Sequence, residues 1–340
     1  MAAVAIEPTK IEQTKLDALL TRALGDLSAG YGGVLISVGN KLGLFKAMSG
    51  AGPLSSRELA ARAGCAERYV REWLNAQVAG GYVDYHAVSD TYELSPEQAL
   101  VLADEDKAVE AFRTGRGVAW GDHHARLHHG VASFYRNAYG ASLVSQWLPA
   151  LDGVVEQLET GITVADVGCG HGYSTMLMAR AFPRSRFHGF DTHAASIDEA
   201  RRIAVEAGVA DRVTFDLAGA VDYAGTGYGL ITFFDCLHDM GDPVAAARHA
   251  VTALAPDGTV MLVEPFANDR VEENVSPVAR MYYAASTMVC CAHAISEGGN
   301  LILGAQAGEA RLVEVFKKAG ATHVRRAEAT AFNLVLEIRR

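Results

Sequence analysis

The residues of this chain best suited to chemistry fall into three short segments. The first is Val164-Ala165-Asp166-Val167-Gly168-Cys169-Gly170-His171-Gly172, where strand-forming residues give way to alternating glycines. Gly168 and Gly170, on either side of Cys169, have no side chain, so backbone can approach a ligand closely there. A helix starting just after them turns free N–H groups and a positive dipole end toward an anion. Asp166 can attract a cationic group directly or through water. The second segment is His188-Gly189-Phe190-Asp191-Thr192. A carboxylate such as Asp191 at the end of a second strand can accept hydrogen bonds from both hydroxyls of a ribose. The third is Phe234-Asp235-Cys236-Leu237-His238-Asp239-Met240-Gly241-Asp242-Pro243. Histidine titrates near neutral pH and suits proton abstraction. A carboxylate holding one ring nitrogen makes it more basic.

A ligand carrying both a carboxylate and a ribose satisfies the first two segments. S-adenosylmethionine does so, and nicotinamide dinucleotides use the same strand-end acid. The dinucleotide fingerprint needs a third glycine three residues after the second, and Tyr173 stands there. The shorter spacing Gly168-x-Gly170-x-Gly172 therefore points to S-adenosylmethionine as cofactor. Methyl transfer from it is an in-line displacement that gains most from positioning. A hydroxyl acceptor must also lose its proton, and a phenol of pKa ~10 is scarcely ionised at neutral pH. A histidine within hydrogen-bond reach of that hydroxyl is the natural base.

These segments need a parallel sheet to bring them to one edge. Candidate strands at Thr163–Val167, Arg186–Phe190, Val213–Phe215, Leu230–Phe234, Thr259–Glu264, Thr322–Arg326 and Phe332–Ile338 alternate with helices around Ser174–Ala181, Ala195–Ala207, Pro243–Leu254 and Glu309–Ala319. That alternation predicts an α/β fold, a mainly parallel sheet covered on both faces. Asp242-Pro243 reads as an N-cap and first turn, and Gly208 as a helix-ending glycine. Upstream, Ser55 and Glu58 have capping-box spacing. A second helix, from about Ala66 to Gly80-Gly81, presents Val70, Trp73 and Leu74. Tyr82–Tyr85 and Thr91–Leu94 flank a turn at Ser89-Asp90. Helix, turn, helix and hairpin is winged-helix order. The expected division is a winged-helix dimerisation domain over 1–103, a helical linker and substrate-pocket region over 104–159, and the cofactor-binding domain over 160–340.

On these motifs the sequence resembles the class I S-adenosylmethionine-dependent methyltransferases from Gly161 to Arg340. It is most similar to bacterial small-molecule O-methyltransferases that carry an N-terminal winged-helix dimerisation domain. The resemblance implies a seven-stranded Rossmann-like sheet whose last strand is antiparallel. It sets Ala218-Gly219-Ala220 beside the adenine, with Asp235 on the cofactor side. Relatives often have an acid directly after that glycine. Here it is Ala220, so Asp216, Asp222 or a backbone carbonyl substitutes. The family's base lies in a motif like Leu237-His238-Asp239, and Glu264 matches its orienting glutamate. Glu309 stands near the place of a second glutamate, and Met240 replaces a tryptophan. A homodimer acting on a small, apolar or aromatic acceptor follows from the resemblance. Methyl transfer to nitrogen or carbon stays open, as does a winged-helix regulator that binds the cofactor without catalysis.

The remaining features carry less. The chain has 340 residues, half of them hydrophobic, and a net charge of −10, which argues against a partner held by phosphate contacts. Between Ser55 and Glu97 four arginines face seven acids, and a DNA-reading wing would be basic. Five cysteines without CxxC spacing suggest neither disulfides nor a zinc site, so no metal is expected. No stretch reads as a membrane span and Met1 to Lys10 does not read as a signal peptide, so a cytoplasmic protein is expected. His123, His124, His128 and His129 read as a solvated helix face, with Trp120 and His124 near the acceptor as the lesser alternative. Cys290-Cys291 reads as one thiol inward and one sideways.

Overall fold

The computed structural model describes residues 12–340 other than 96–97, 99–110, 112–113 and 124. The chain divides into two compact units at residues 109 and 110.

In the first unit, helices α1 (Gln13–Lys41), α2 (Leu44–Met48), α3 (Ser56–Ala63) and α4 (Glu67–Ala79) precede a hairpin of β1 (Asp84–His86) and β2 (Thr91–Glu93). The capping box forms: Ser55 N–H donates to the Glu58 carboxylate at 2.8 Å, and Glu58 N–H donates to Ser55 Oγ at 3.3 Å. Such a cap contributes about 1 kcal/mol to helix stability. Gly64, at φ +64°, ends α3 in the left-handed conformation open to glycine. The strands of the wing are shorter than their sequence suggests, and Leu54 adds a bridge to Tyr92 through two backbone hydrogen bonds. Trp73 ties α4 to α1 by donating its indole N–H to the Leu35 carbonyl at 2.8 Å. A Cβ at Gly39 would stand 2.4 Å from that indole, so only glycine lets the two helices approach so closely.

The second unit is built on seven strands, β3 (Thr163–Val167), β4 (Arg186–Asp191), β5 (Val213–Leu217), β6 (Tyr228–Phe234), β7 (Leu254–Pro265), β8 (His323–Ala329) and β9 (Asn333–Arg339). Their order is β5-β4-β3-β6-β7-β9-β8, all parallel except β9, which runs antiparallel to both neighbours. β6 is buried along its whole length, as a central strand covered on both faces must be. One face packs on α9 (Pro243–Ala253) and α12 (Glu309–Lys318), where Leu312, Val315 and Phe316 recur at helical spacing. The other packs on α6 (Val154–Thr160), α7 (Tyr173–Ala181) and α8 (Ala194–Glu206). The C-terminal part of α5 (Ala125–Ser142) joins them through Tyr139, and a π-helical turn follows at Leu143–Trp147. Leu143, Trp147 and Leu148 sit in the core of this unit with Met178 and Phe187.

Chain order reverses between β3 and β6, which is where an open parallel sheet leaves a crevice at its carboxyl edge. Both the glycine turn and the His238 segment emerge there. α10 (Pro277–Ala285), a π-helical turn at Ser286–Cys290 and α11 (Cys291–Ser296) follow β7.

Candidate active site

The glycine turn is held by backbone geometry. Gly168 has φ +71°, and a Cβ on it would lie 2.7 Å from Cys236 Sγ. Gly168 and Cys169 N–H groups both donate to the Phe190 carbonyl, at 2.8 and 3.0 Å. Gly170 N–H donates to Asp191 Oδ2 at 2.9 Å, and His193 N–H to Asp191 Oδ1 at 2.8 Å. Tyr173 and Ser174, in the first turn of α7, line the cavity at this edge. Gly172 serves packing: its missing Cβ would meet the Phe215 ring at 2.4 Å.

A cavity of about 320 Å³ opens at this edge, and Gly168, Cys169, Gly170, Asp191, Thr192, Gly219, Ala220 and Asp235 line it. Each oxygen of Asp191 keeps a lone pair beyond its one backbone donor, as recognition of a vicinal diol requires. Ala218, Gly219, Ala220 and Val221 follow one another along the cavity wall. Asp222 is taken up elsewhere, since its Oδ1 accepts the Gly219 N–H at 2.9 Å. Asp216 faces Arg201 at 3.8 Å, and neither acid lines the cavity.

Asp166 departs from expectation. It is 1% exposed and absent from the cavity wall. Its carboxylate accepts hydroxyls from Ser174 at 2.8 Å, Thr175 at 2.5 Å and Thr232 at 3.0 Å. Burial raises its pKa, against the lowering effect of those three bonds. Asp166 thus ties β3 to α7 and β6.

Asp235 does reach the cavity, from a left-handed backbone at φ +50°. The Tyr139 hydroxyl donates to its Oδ2 at 2.6 Å and the Asn333 amide to its Oδ1 at 3.0 Å. Burial, with the nearby charge of Glu264, pushes its pKa up to about 8 despite the Tyr139 bond. Neither Tyr139 nor Asn333 carries a sequence signal for this role.

His238 lies in a single 3₁₀ turn, Leu237–Asp239, just past β6, and is 3% exposed. Its Nδ1 meets Glu264 Oε2, while Glu264 Oε1 accepts the Leu237 and His238 N–H groups at 3.0 and 3.3 Å. Its Nε2 faces Asp239 Oδ1 at 3.1 Å. Burial alone would lower the imidazole pKa, but the charges of Asp239 and Glu264 outweigh it and hold it well above the ordinary value. His238 does not itself line the cavity; Asp239 does. Glu309 plays no part here, because its carboxylate pairs with Arg326.

The cavity wall also includes Trp120, Tyr135, His293 and Glu297, none assigned a role from sequence except Trp120 as an alternative. Trp120 N–H donates to His293 Nδ1 at 3.1 Å, and Gly241 N–H to Glu297 Oε2 at 2.8 Å. The i,i+4 spacing of His293 and Glu297 was the one available signal, and their side chains approach to 3.5 Å. His124 lies outside the described residues, as do the side chains of His128 and His129. Cys290 is buried and Cys291 half-buried.

Comparison with known proteins agrees with this architecture. Residues 158–320 match the model of a methyltransferase domain, and residues 30–104 that of an Rv2258c-like winged HTH domain. Over 127 residues the chain is 32% identical to ribosomal RNA large subunit methyltransferase G of Alcanivorax borkumensis, covering 33% of this chain and 30% of that protein. Over 102 residues it is 33% identical to trans-aconitate 2-methyltransferase of Paracidovorax citrulli, covering 30% and 38%. The matches therefore span about a third of these relatives' length. Among solved structures, the O-methyltransferase NcsB1 from neocarzinostatin biosynthesis, in complex with S-adenosyl-L-homocysteine and 1,4-dihydroxy-2-naphthoic acid, aligns with TM-score 0.56 at 19% identity over 94% of this chain and 98% of its own. Human N-acetylserotonin methyltransferase, in complex with SAM, aligns with TM-score 0.53 at 14% identity over 98% and 99%. At such identities the likeness is one of fold. With the glycine turn and the strand-end acid, the match shows a methyltransferase domain over residues 158–320, preceded by a winged helix-turn-helix domain over residues 30–104.

Proposed function

We propose that the chain methylates an oxygen of a small, apolar or aromatic acceptor, with His238 as general base and Glu264 as the residue that positions it. The observation that carries this reading is the grip of Glu264 on Nδ1 of a histidine at the sheet edge where the cavity opens. When bound, S-adenosylmethionine supplies an activated methyl group. The residues that fit it are Asp191 for the ribose, the first turn of α7 for the carboxylate and Gly219 to Val221 for the base. At rest His238 is protonated between two carboxylates and cannot accept a proton. An acceptor hydroxyl must take the place of Asp239 at Nε2, which removes one of the charges holding the imidazolium and lowers its pKa. With its pKa lowered, the imidazolium releases its Nε2 proton to solvent, and the neutral nitrogen then takes the hydroxyl proton while the aromatic wall of Trp120 and Tyr135 aligns the ring.

The first unit is assigned to self-association. Among its described residues Tyr31, Val34 and Leu42 of the long helix and its end are apolar and exposed, and its wing is acidic. No described helix is long and apolar enough to cross a membrane, and the free cysteines suit the reducing cytoplasm. The direct test is calorimetry with S-adenosylmethionine followed by a screen of phenolic acceptors with mass detection of products. No cofactor binding by folded protein would overturn the reading. Products methylated at nitrogen or carbon would overturn its choice of oxygen.

A further inference from the structure

We propose that His238, Asp239 and Cys290 form a site for a zinc-like divalent cation, and that the cation, when bound, blocks the base. One ligand atom from each of the three lies within 4.8 Å of the others. Histidine nitrogen, carboxylate oxygen and thiolate sulfur together form a donor set suited to a borderline-soft ion such as Zn2+.

The surroundings are those of a metal site. Glu264 holds His238 Nδ1, which fixes the ring and leaves Nε2 as the ligand nitrogen. Metal-binding histidines carry a carboxylate partner of this kind on the other nitrogen. Asp239 Oδ1 is buried without a well-formed hydrogen bond, 3.1 Å from Nε2, and the Asp239 carboxylate also meets the Cys290 thiol. A cation between these two atoms would satisfy both. Cys290 comes from a separate element, the last residue of the π-helical turn Ser286–Cys290, and such turns are frequent at functional sites. The neighbouring Cys291 points elsewhere, toward the Ser286 hydroxyl at 3.4 Å. Asp239 lines the cavity, so a fourth coordination position opens toward the acceptor space, the pattern of an open site.

Binding displaces protons. The Cys290 thiol gives up its proton on coordination, because the thiolate is the metal ligand. Nε2 of His238 gives up its own as well. Both protons pass to solvent, and affinity therefore rises with pH. Because the cation occupies the nitrogen that the base needs, it inhibits methyl transfer. This last consequence rests on the proposed role of His238, whereas the site itself does not.

The test uses Co2+ as an optical probe on the full chain. A single cobalt ion per chain should give a thiolate-to-cobalt charge-transfer band in the near ultraviolet. Cys290→Ser should abolish the band, Cys291→Ser should retain it, and Glu264→Gln should weaken binding roughly 10- to 100-fold. Zn2+ should displace Co2+ and erase the band. Absence of the band in folded wild-type protein, or its persistence in Cys290→Ser, overturns the site. No turnover enters this readout, so its failure is distinct from failure of the methyl-transfer reading. In an assay with a confirmed acceptor, Zn2+ should inhibit wild type much more strongly than Cys290→Ser. Equal inhibition overturns the blocking role.

Discussion

Glu264 meets His238 twice: one oxygen holds the imidazole Nδ1 and the other accepts the backbone N–H groups of Leu237 and His238. The carboxylate therefore sets the path of the turn as well as the orientation of the ring. Loss of either residue should be felt in turnover more than in cofactor binding.

His238→Ala should lower kcat by roughly 10²- to 10⁴-fold, the range of a lost general base. Affinity for S-adenosylmethionine, measured by calorimetry, should stay within a few-fold of wild type. Unaltered turnover on a confirmed acceptor would remove His238 from the mechanism.

The rate should rise with pH. Burial opposes the charge on His238, yet Asp239 and Glu264 keep the imidazole protonated above its ordinary range, and only the neutral ring is a base. Asp239→Asn removes one of the two carboxylates and should move the rising limb of kcat/KM to lower pH. A limb that stays in place in this variant assigns the titration to another group.

Asp191 is expected to bind the ribose, and hydrogen bonds to a charged acceptor contribute about 1.5–3 kcal/mol each. Asp191→Ala should weaken cofactor binding about 10- to 100-fold. Wild-type affinity in that variant would place the ribose elsewhere.

Gly168→Ala tests the turn. The new Cβ would stand 2.7 Å from Cys236 Sγ at a φ that costs about 1–3 kcal/mol for a non-glycine residue. Thermal unfolding should shift down by several degrees. Gly170→Ala, with the same handedness but open space around its Cβ, should cost less.

Asp235 makes stability depend on pH. Its folded-state pKa of about 8 lies above the ordinary 3.8, so between those values the folded chain holds a proton that the unfolded chain has released. Its contribution is fully present below the ordinary value and is lost as pH rises through about 8. Asp235→Asn should flatten the decline in melting temperature across that window. An unchanged decline would trace it to another group, of which His238 is the first to try.

What the sequence determined by itself was the part governed by neighbours along the chain. Alternating strand and helix periodicity placed all seven strands of the sheet, because each element's apolar pattern is set by which faces are covered. The Ser55–Glu58 box, Gly64 and Asp242-Pro243 are legible for the same reason, since a helix end is capped by residues within one turn of it. Positive φ at Gly168, Gly170 and Gly172 fits the residue that alone pays no steric penalty there. Tertiary structure decided which side chains meet across long separations. Asp166 found three hydroxyls and left the cavity; Asp235 found Tyr139 and Asn333, which are 96 and 98 residues away. Asp239, not Glu309, supplied the second carboxylate beside His238, and Cys290 arrived on a π-helical turn that no periodicity announces. Contacts of this kind depend on how packed elements align at the sheet edge, and spacing along the chain does not encode that alignment.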